Sequence, residues 1–307
     1  MVTDDLHPHD LLRVGHLNHL IDLAIELGID HVTAIKMDSF NTAQYFGLKN
    51  RGAIAPGYQA DIAVLSSIKP VRVEKVFKCG GIVYDNEKII AEMPRPRVAG
   101  KLRQMNAAPF GEADFRIRDE GRKIRVIGII PEQVLTRGLV MEPHVKDGLI
   151  VTDVRADILK VVVIERHRAT GNIGVGFVHG LGLESGAIAS SVAHDSHNII
   201  AAGTNDADIY SAAKTVEKMK GGMAAVKDGK VIASLALPVA GLMSDRSLGD
   251  VATAWEKMRG VARDLGSLHR EPFMELSFLA LPVIPELKIT DKGLFDVGSF
   301  TPVDLFV

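Results

Sequence analysis

The hydrophobic period of the chain changes at Arg51, from helical spacing before it to short strand-like runs after it. More than one kind of unit is therefore required. Before the change, residues 11–27 place Leu11, Leu12, Leu17, Leu20, Ile21, Ala24 and Leu27 at the spacing of one helix face, and Gly28 stops the run. Asp38, Ser39 and Asn41 offer caps for a short helix over 42–46, which Gly47 ends. Met1, Val2 and Thr3 run straight into Asp4 and Asp5, as the end of a strand would. After the change, 53–54, 60–65, 71–77 and 80–84 read as strands of a small β domain, punctuated by Pro56-Gly57. Residues 93–110 hold Pro94, Pro96 and Pro109 with little periodicity, which predicts a linker or extended connection.

From Asp114 onward strands alternate with helices. Strands are expected over 123–130, 159–165, 173–179, 187–193, 199–202 and 274–280, and helices over 207–220 and 248–265. Residues 223–226 and 230–237, joined through Asp228-Gly229, form a hairpin with a turn suited to that dipeptide. A tail punctuated by prolines closes the sequence.

A length of 307 residues suffices for two domains with separate cores. The net charge of −2 leaves no basic footprint, so nucleic acid is not an expected partner. No run approaches the roughly twenty apolar residues of a membrane span, and the acidic, histidine-bearing start does not have the form of a signal peptide. The single cysteine, Cys79, excludes an internal disulfide and fits a reducing cytoplasm; lying in an apolar run, it reads as buried.

The densest polar cluster is GAIASSVAHDSHNIIAAGTND, residues 186–206. His194, Asp195, His197 and Asn198 fall where one strand-like run ends and the next begins, the position at which folds mount chemistry. Gly186, Ala187, Ala189, Ser190 and Ser191 permit close approach of a ligand or of a neighbouring element. Two readings stand side by side: a site that binds a metal or holds a planar heterocycle, and a buried hydrogen-bonded corner. Asp4, at the end of the presumed strand, has the chemistry to ligate a metal and shuttle a proton from a bound water. Asp10 reads as a helix cap. His7 and His9 face one way only if Pro8 leaves them extended, and a turn there is equally compatible. His16 and His19 share a helix face and read as solvated or packed. Asn205, Asp206 and Asp208 read as cap and first-turn acids of the next helix. Gly171, Gly174, Gly176, Gly180 and Gly182 do not open onto a helix as a phosphate loop does.

Two motifs carry a resemblance. NTAQYFGL (41–48) followed by RGAIAPGYQADIAVL (51–65) resembles the passage in amidohydrolase-superfamily enzymes from the last barrel helix into a small β-sandwich. Val2-Thr3-Asp4-Asp5 resembles the end of their eighth barrel strand. Downstream, residues 168–206 and LPVAGLMSD (237–245) resemble the C-terminal domain that sets bacterial and archaeal adenine deaminases apart within that superfamily.

The resemblance implies a multidomain chain of α/β and α+β class. The last strand and helices of a TIM-like barrel would occupy 1–50, a β-sandwich portion 51–92, a linker 93–113 and the adenine deaminase α+β domain 114–307. It implies hydrolytic deamination of adenine to hypoxanthine and ammonia at a divalent metal centre, with manganese first and iron second. Asp4 inherits the role of metal ligand and proton shuttle. His194, Asp195, His197 and Asn198 become residues that face or support the substrate.

The superfamily places an HxH pair after its first barrel strand and further ligands after strands four to six, and none of that region is in this sequence. The chain is therefore expected to be the C-terminal half: a fragment, a truncated product or one piece of a split enzyme. Its partners would be adenine and either further copies of itself in a homo-oligomer or the missing N-terminal barrel half. A helix pair severed from its barrel would expose apolar faces. The alternatives are a non-catalytic module that binds a partner subunit or a purine, and hydrolysis of another cyclic substrate.

Overall fold

The computed structural model describes residues 1–91 and 100–307, and the chain divides into two units, Met1–Arg97 and Val98–Val307. In the first unit, Pro8 opens α1 (Pro8–Arg13), where its missing N–H costs nothing. The single helix expected over 11–27 is two. Gly15, at φ +118°, turns the chain between α1 and α2 (Leu17–Glu26) in a conformation that side chains rarely adopt. A helix not foreseen, α3 (His31–Asp38), starts from Asp30, whose carboxylate accepts the Thr33 amide at 3.1 Å. It is followed by α4 (Phe40–Tyr45) and Gly47.

Met1–Thr3, expected as a strand end, have no strand partner among the described residues, and neither do 53–54; a strand exists only through its ladder. β1 (Ile62–Ile68), β2 (Val71–Lys78), β3 (Gly81–Asp85) and β4 (Lys88–Ile89) form an antiparallel sheet in sequence order. Cys79 is exposed rather than buried, because the apolar run ends at the β2–β3 turn and Cys79 occupies it at φ +51°. Beside that turn Asp61 accepts from Lys78 Nζ, the Cys79 amide, Gln59 Nε2 and Arg51 Nη1. The Lys78 and Cys79 bonds hold its carboxyl well below the usual carboxylate range.

The second unit is built on β5 (Ile117–Arg118), β6 (Ile124–Ile129), β7 (Thr136–Met141), β8 (His144–Lys146), β9 (Leu149–Val151), β10 (Ile158–Ile164), β11 (Ile173–His179), β12 (Ala187–Ser190) and β13 (Ile199–Gly203). Then follow α5 (Asp206–Lys218), β14 (Gly222–Lys227), β15 (Lys230–Ala236), α6 (Leu248–Asp264), α7 (Pro272–Phe278), β16 (Leu287–Thr290), β17 (Gly293–Asp296) and β18 (Thr301–Pro302). Eight strands make one sheet in the order β15-β14-β12-β13-β10-β11-β6-β7, antiparallel except where β11 meets β6.

Alternation along β10 sorts its side chains between two cores. Leu159, Val161 and Val163 join α6, α7 and β16–β17, while Val162 and Ile164 join α5. On the α5 face the sheet offers Ala187, Ala189, Ala201 and Ala224, which lets Ala212 and Ala213 of the helix approach closely. As expected, Asn205 caps α5, accepting the Asp208 amide at 2.8 Å, and Asp228-Gly229 turns the β14–β15 hairpin.

Residues 274–280 are not a strand. Pro272 sits in the first turn of α7, and Phe273, Leu276 and Ser277 are buried on one side at helical spacing. A short apolar run fits either period, and here the buried side follows the helix. Residues 104–110 run without regular structure, as an extended connection would, but they are fastened: Asn106 exchanges backbone bonds with Arg166 and Ala169, and Phe110 is buried. Pro94 and Pro96 lie outside the described residues.

At the far edge of the sheet, residues 304–307 return to β6. The amides of Arg125 and Val307 bond to Leu305 and Lys123 carbonyls, and the Arg125 guanidinium donates to the carbonyls of Asp304 and Phe306 at 2.8 and 2.7 Å. Among the described residues no helix is long and apolar enough to cross a membrane. The architecture is mixed α/β with several sheets.

Candidate functional site

One end of the eight-stranded sheet gathers the loops after β10, β12 and β15 and the turn between β16 and β17. The register makes this so: Ile164 of β10 stands opposite Ile173 and Ile199, and Ser190 of β12 opposite Ile200 and Met223. The polar cluster of 194–198 lies here.

His194 stacks on Phe278, at the end of α7, with ring centroids 5.0 Å apart and planes inclined by 17°; His197 meets it edge-on at 5.5 Å. Asp195 is exposed, with an oxygen 3.9 Å from His194 Nδ1. Asn198 is buried and turned inward: its Oδ1 accepts the Arg166 amide at 3.4 Å and its Nδ2 donates to Asp291 at 3.2 Å. His167 Nε2 lies 2.7 Å from the Ser196 carbonyl. Burial, then the nearby His194 and Arg166, push the His197 imidazole below its ordinary range, against the pull of Asp195. At neutral pH its ring is therefore uncharged and offers one donor and one acceptor.

Glu165, buried at the end of β10, organises the next turn. Burial raises its carboxyl, but the amides of Thr170, His167 and Arg168 more than offset this and hold it below the usual range. Asp291 bridges Asn198 to Asn172, joining the β16–β17 turn to two loops. Within the glycine-dense run packing explains Gly174: a Cβ there would lie 1.9 Å from the Thr290 carbonyl, so β11 needs glycine where that turn crosses it. Ser191 donates to the Gly241 carbonyl at 2.6 Å and accepts the Gly222 amide at 2.7 Å. The segments 186–206 and 237–245, more than thirty residues apart in sequence, thus meet at this end of the sheet.

Sequence reasoning missed the residues that hold the loop: Glu165, Arg166, Phe278 and Asp291. The run Glu165-Arg166-His167-Arg168, four polar residues directly after a buried strand, was the available signal for the first two.

Asp4 is exposed just before a bend, at φ +47°, its carbonyl accepting the Leu6 amide at 2.9 Å. His7 precedes α1 and His9 lies inside it, buried, so the extended pair that would share a metal does not form; their rings stack with centroids 5.8 Å apart. His16 precedes α2, with Nε2 3.3 Å from the Thr3 hydroxyl. Among the described residues no group of three or more His, Cys, Asp or Glu side chains is placed to hold a metal ion. The residues present therefore do not fit a complete divalent centre, which needs several ligands in fixed geometry.

Residues 133–301 match the adenine deaminase C-terminal domain, and residues 1–95 match the amidohydrolase family, which implies a divalent metal centre in general terms. The adenine deaminase of Desulfatibacillum aliphaticivorans is 48% identical over 308 residues, covering 99% of this chain and 53% of that protein. Adenine deaminase 2 of Carboxydothermus hydrogenoformans is 46% identical, over 98% of this chain and 53% of its own length. The adenine deaminase of Methanothrix thermoacetophila is 46% identical, over 100% of this chain and 53% of its own length. The chain spans about half the length of the curated relatives it matches. With that identity along its whole length, and with more than half of its residues matched to the C-terminal domain, the chain belongs to the adenine deaminase family.

Proposed function

We propose that this chain supplies the C-terminal part of an adenine deaminase. The observation that carries the reading is the 48% identity to an adenine deaminase over 99% of the chain. In the reaction, a water oxygen bonds to C6 of adenine, the C6–N6 bond breaks, and ammonia and hypoxanthine leave, a step that serves purine salvage and adenine catabolism. Asp4 is the general base that takes the water's proton and passes it to the departing amine. It is also one ligand of a divalent metal, with manganese the first candidate and iron the second. The remaining ligands would come from the N-terminal barrel half.

His194 and His197 face the substrate, with Asp195 at the rim and Asn198 bracing the loop from within. A neutral purine offers ring nitrogens and one amine, so its selection needs placed donors and acceptors, which the uncharged His197 imidazole provides. The partner is an N-terminal barrel half, with further copies of the chain in a homo-oligomer as the alternative. Residues 1–50 are the closing elements of that barrel, and 51–92 are part of its β-sandwich. The setting is cytoplasmic. Uncovered apolar side chains in the first unit, among them Tyr45 and Ile54 at 84% and 85% exposure, favour a completing partner over a free-standing module.

The test is ammonia release from adenine, with metal content measured alongside. The chain alone is expected to be inactive, and mixing it with the N-terminal half of the Desulfatibacillum aliphaticivorans relative is expected to restore turnover. Failure of every such mixture, with both parts folded and metal supplied, would overturn the reading. Alanine at the positions matched to His194 and His197 in that full-length relative should lower turnover; unchanged turnover would remove the loop from the substrate's surroundings.

A further inference from the structure

Arg166, the second residue beyond β10, is only 3% exposed. Its acceptors are the His197 carbonyl at Nε, the Ala240 carbonyl at Nη2 (3.0 Å) and the Met105 sulfur at Nη1 (4.0 Å). Among the described residues none of these acceptors is a carboxylate, and the adjacent Glu165 acts on the guanidinium through its charge alone. Its backbone is also engaged, the amide with Asn198 Oδ1 and the carbonyl with the Asn106 amide at 2.9 Å. Removing a guanidinium from water is costly, and neutral acceptors return less of that cost than a carboxylate does. A loop that needed only packing would be served as well by an apolar side chain of similar volume.

What the charge and the planar fork achieve is visible in the neighbours. His197 holds a left-handed backbone, φ +51°, that a residue with a Cβ adopts at a cost, and the guanidinium grips its carbonyl. On the other side, a Cβ on Gly241 would lie 2.7 Å from Nη1, so the 237–245 segment closes directly onto the fork. Among the described residues the His197 ring keeps a buried Nδ1 with no hydrogen-bond partner.

We propose that Arg166 is the positioning residue of the histidine loop: one guanidinium clamps the carbonyls of His197 and Ala240 and so fixes how the loop's imidazoles are presented to a neutral nitrogen heterocycle. The proposal rests on the reading of that loop as substrate-facing and names the group that sets its geometry. The charges that bear on His197 are Arg166, His194 and His167 on one side and Asp195 on the other, and burial acts in the same sense as the cations. Arg166 thus also favours the uncharged ring that can both donate and accept.

The experiment uses the full chain, with amide hydrogen exchange followed at 193–198 and 239–243 and His197 titrated by NMR with labelled histidine. In Arg166→Met, exchange in both segments should quicken at least about tenfold and His197 should titrate at higher pH. Arg166→Lys keeps the charge but loses the fork, so exchange should quicken while the titration stays low. A merely structural arginine would not separate these two readouts. If Arg166→Met does not fold, Arg166→Lys and Gly241→Ala decide, the second by crowding the fork with the charge in place; both should quicken exchange in the two segments. Unchanged exchange in any folded variant, or an unmoved His197 titration in Arg166→Met, overturns the proposal. Alanine at His197 that leaves adenine turnover intact in the assembled enzyme would sink the substrate-facing reading alone, because the clamp is read by exchange.

Discussion

The two units bury their apolar residues to very different degrees. In the second, β10 is buried along its whole length, and both of its faces are covered by helices or by a further sheet. In the first, the core is the small group Ala24, Ile25, Ala34 and Val71, and Leu27, Tyr45, Phe46 and Ile54 stand in solvent. The same proportion of apolar residues can therefore specify a finished core or half of one. Periodicity states which side chains want burial, but not whether the surface that buries them is in the same chain.

This contrast can be broken by mutation. Phe177→Ala, at a fully buried ring in β11, should cost about 3–5 kcal/mol in chemical unfolding of the second unit, the usual range for a large core truncation. Ile25→Ala should cost at most about 2 kcal/mol, because its surroundings are thin and can collapse. Equal costs would mean that the first unit is as well packed as the second.

A second effect, read against pH, sharpens the picture of the second core. Lys288 is fully buried, donating to the Val134 and Phe278 carbonyls at 2.8 and 3.0 Å, and burial lowers its ammonium to about 8 despite the nearby Glu275. The unfolded lysine binds its proton up to about 10.4, so between those values the unfolded state holds more protons and stability rises with pH. Relative to Lys288→Met, the native chain should gain up to about 3 kcal/mol from pH 8 to 10.5. A flat difference would mean that Lys288 is charged throughout. The smallest effect concerns the first unit: Cys79 should react with a thiol reagent in the folded chain about as fast as in denaturant, without loss of structure.

Much of the second unit was legible. The central strands announced themselves as buried runs, Asn205 as a cap and Asp228-Gly229 as a turn, because each signal is local. The candidate loop was legible as a polar cluster between strands. Its supports were not: Arg166 reaches His197 across 31 residues and Asn198 reaches Asp291 across 93, and no window on the sequence joins them. Short segments failed for a related reason. Residues 274–280 fit both periods until α7 found a buried side at helical spacing, and 11–27 kept one helical face across Gly15, although the backbone turned there. Cys79 was misread because an apolar run need not be buried at its tip.

The stitching of residues 304–307 to β6 carries a consequence for synthesis. Arg125 must wait for partners 179 and 181 residues later before its guanidinium bonds form, so the start of β6 stays unfastened while most of the unit has already left the ribosome. During that interval the backbone groups of Lys123 and Arg125 at the start of β6 lack the partners that Leu305 and Val307 later bring.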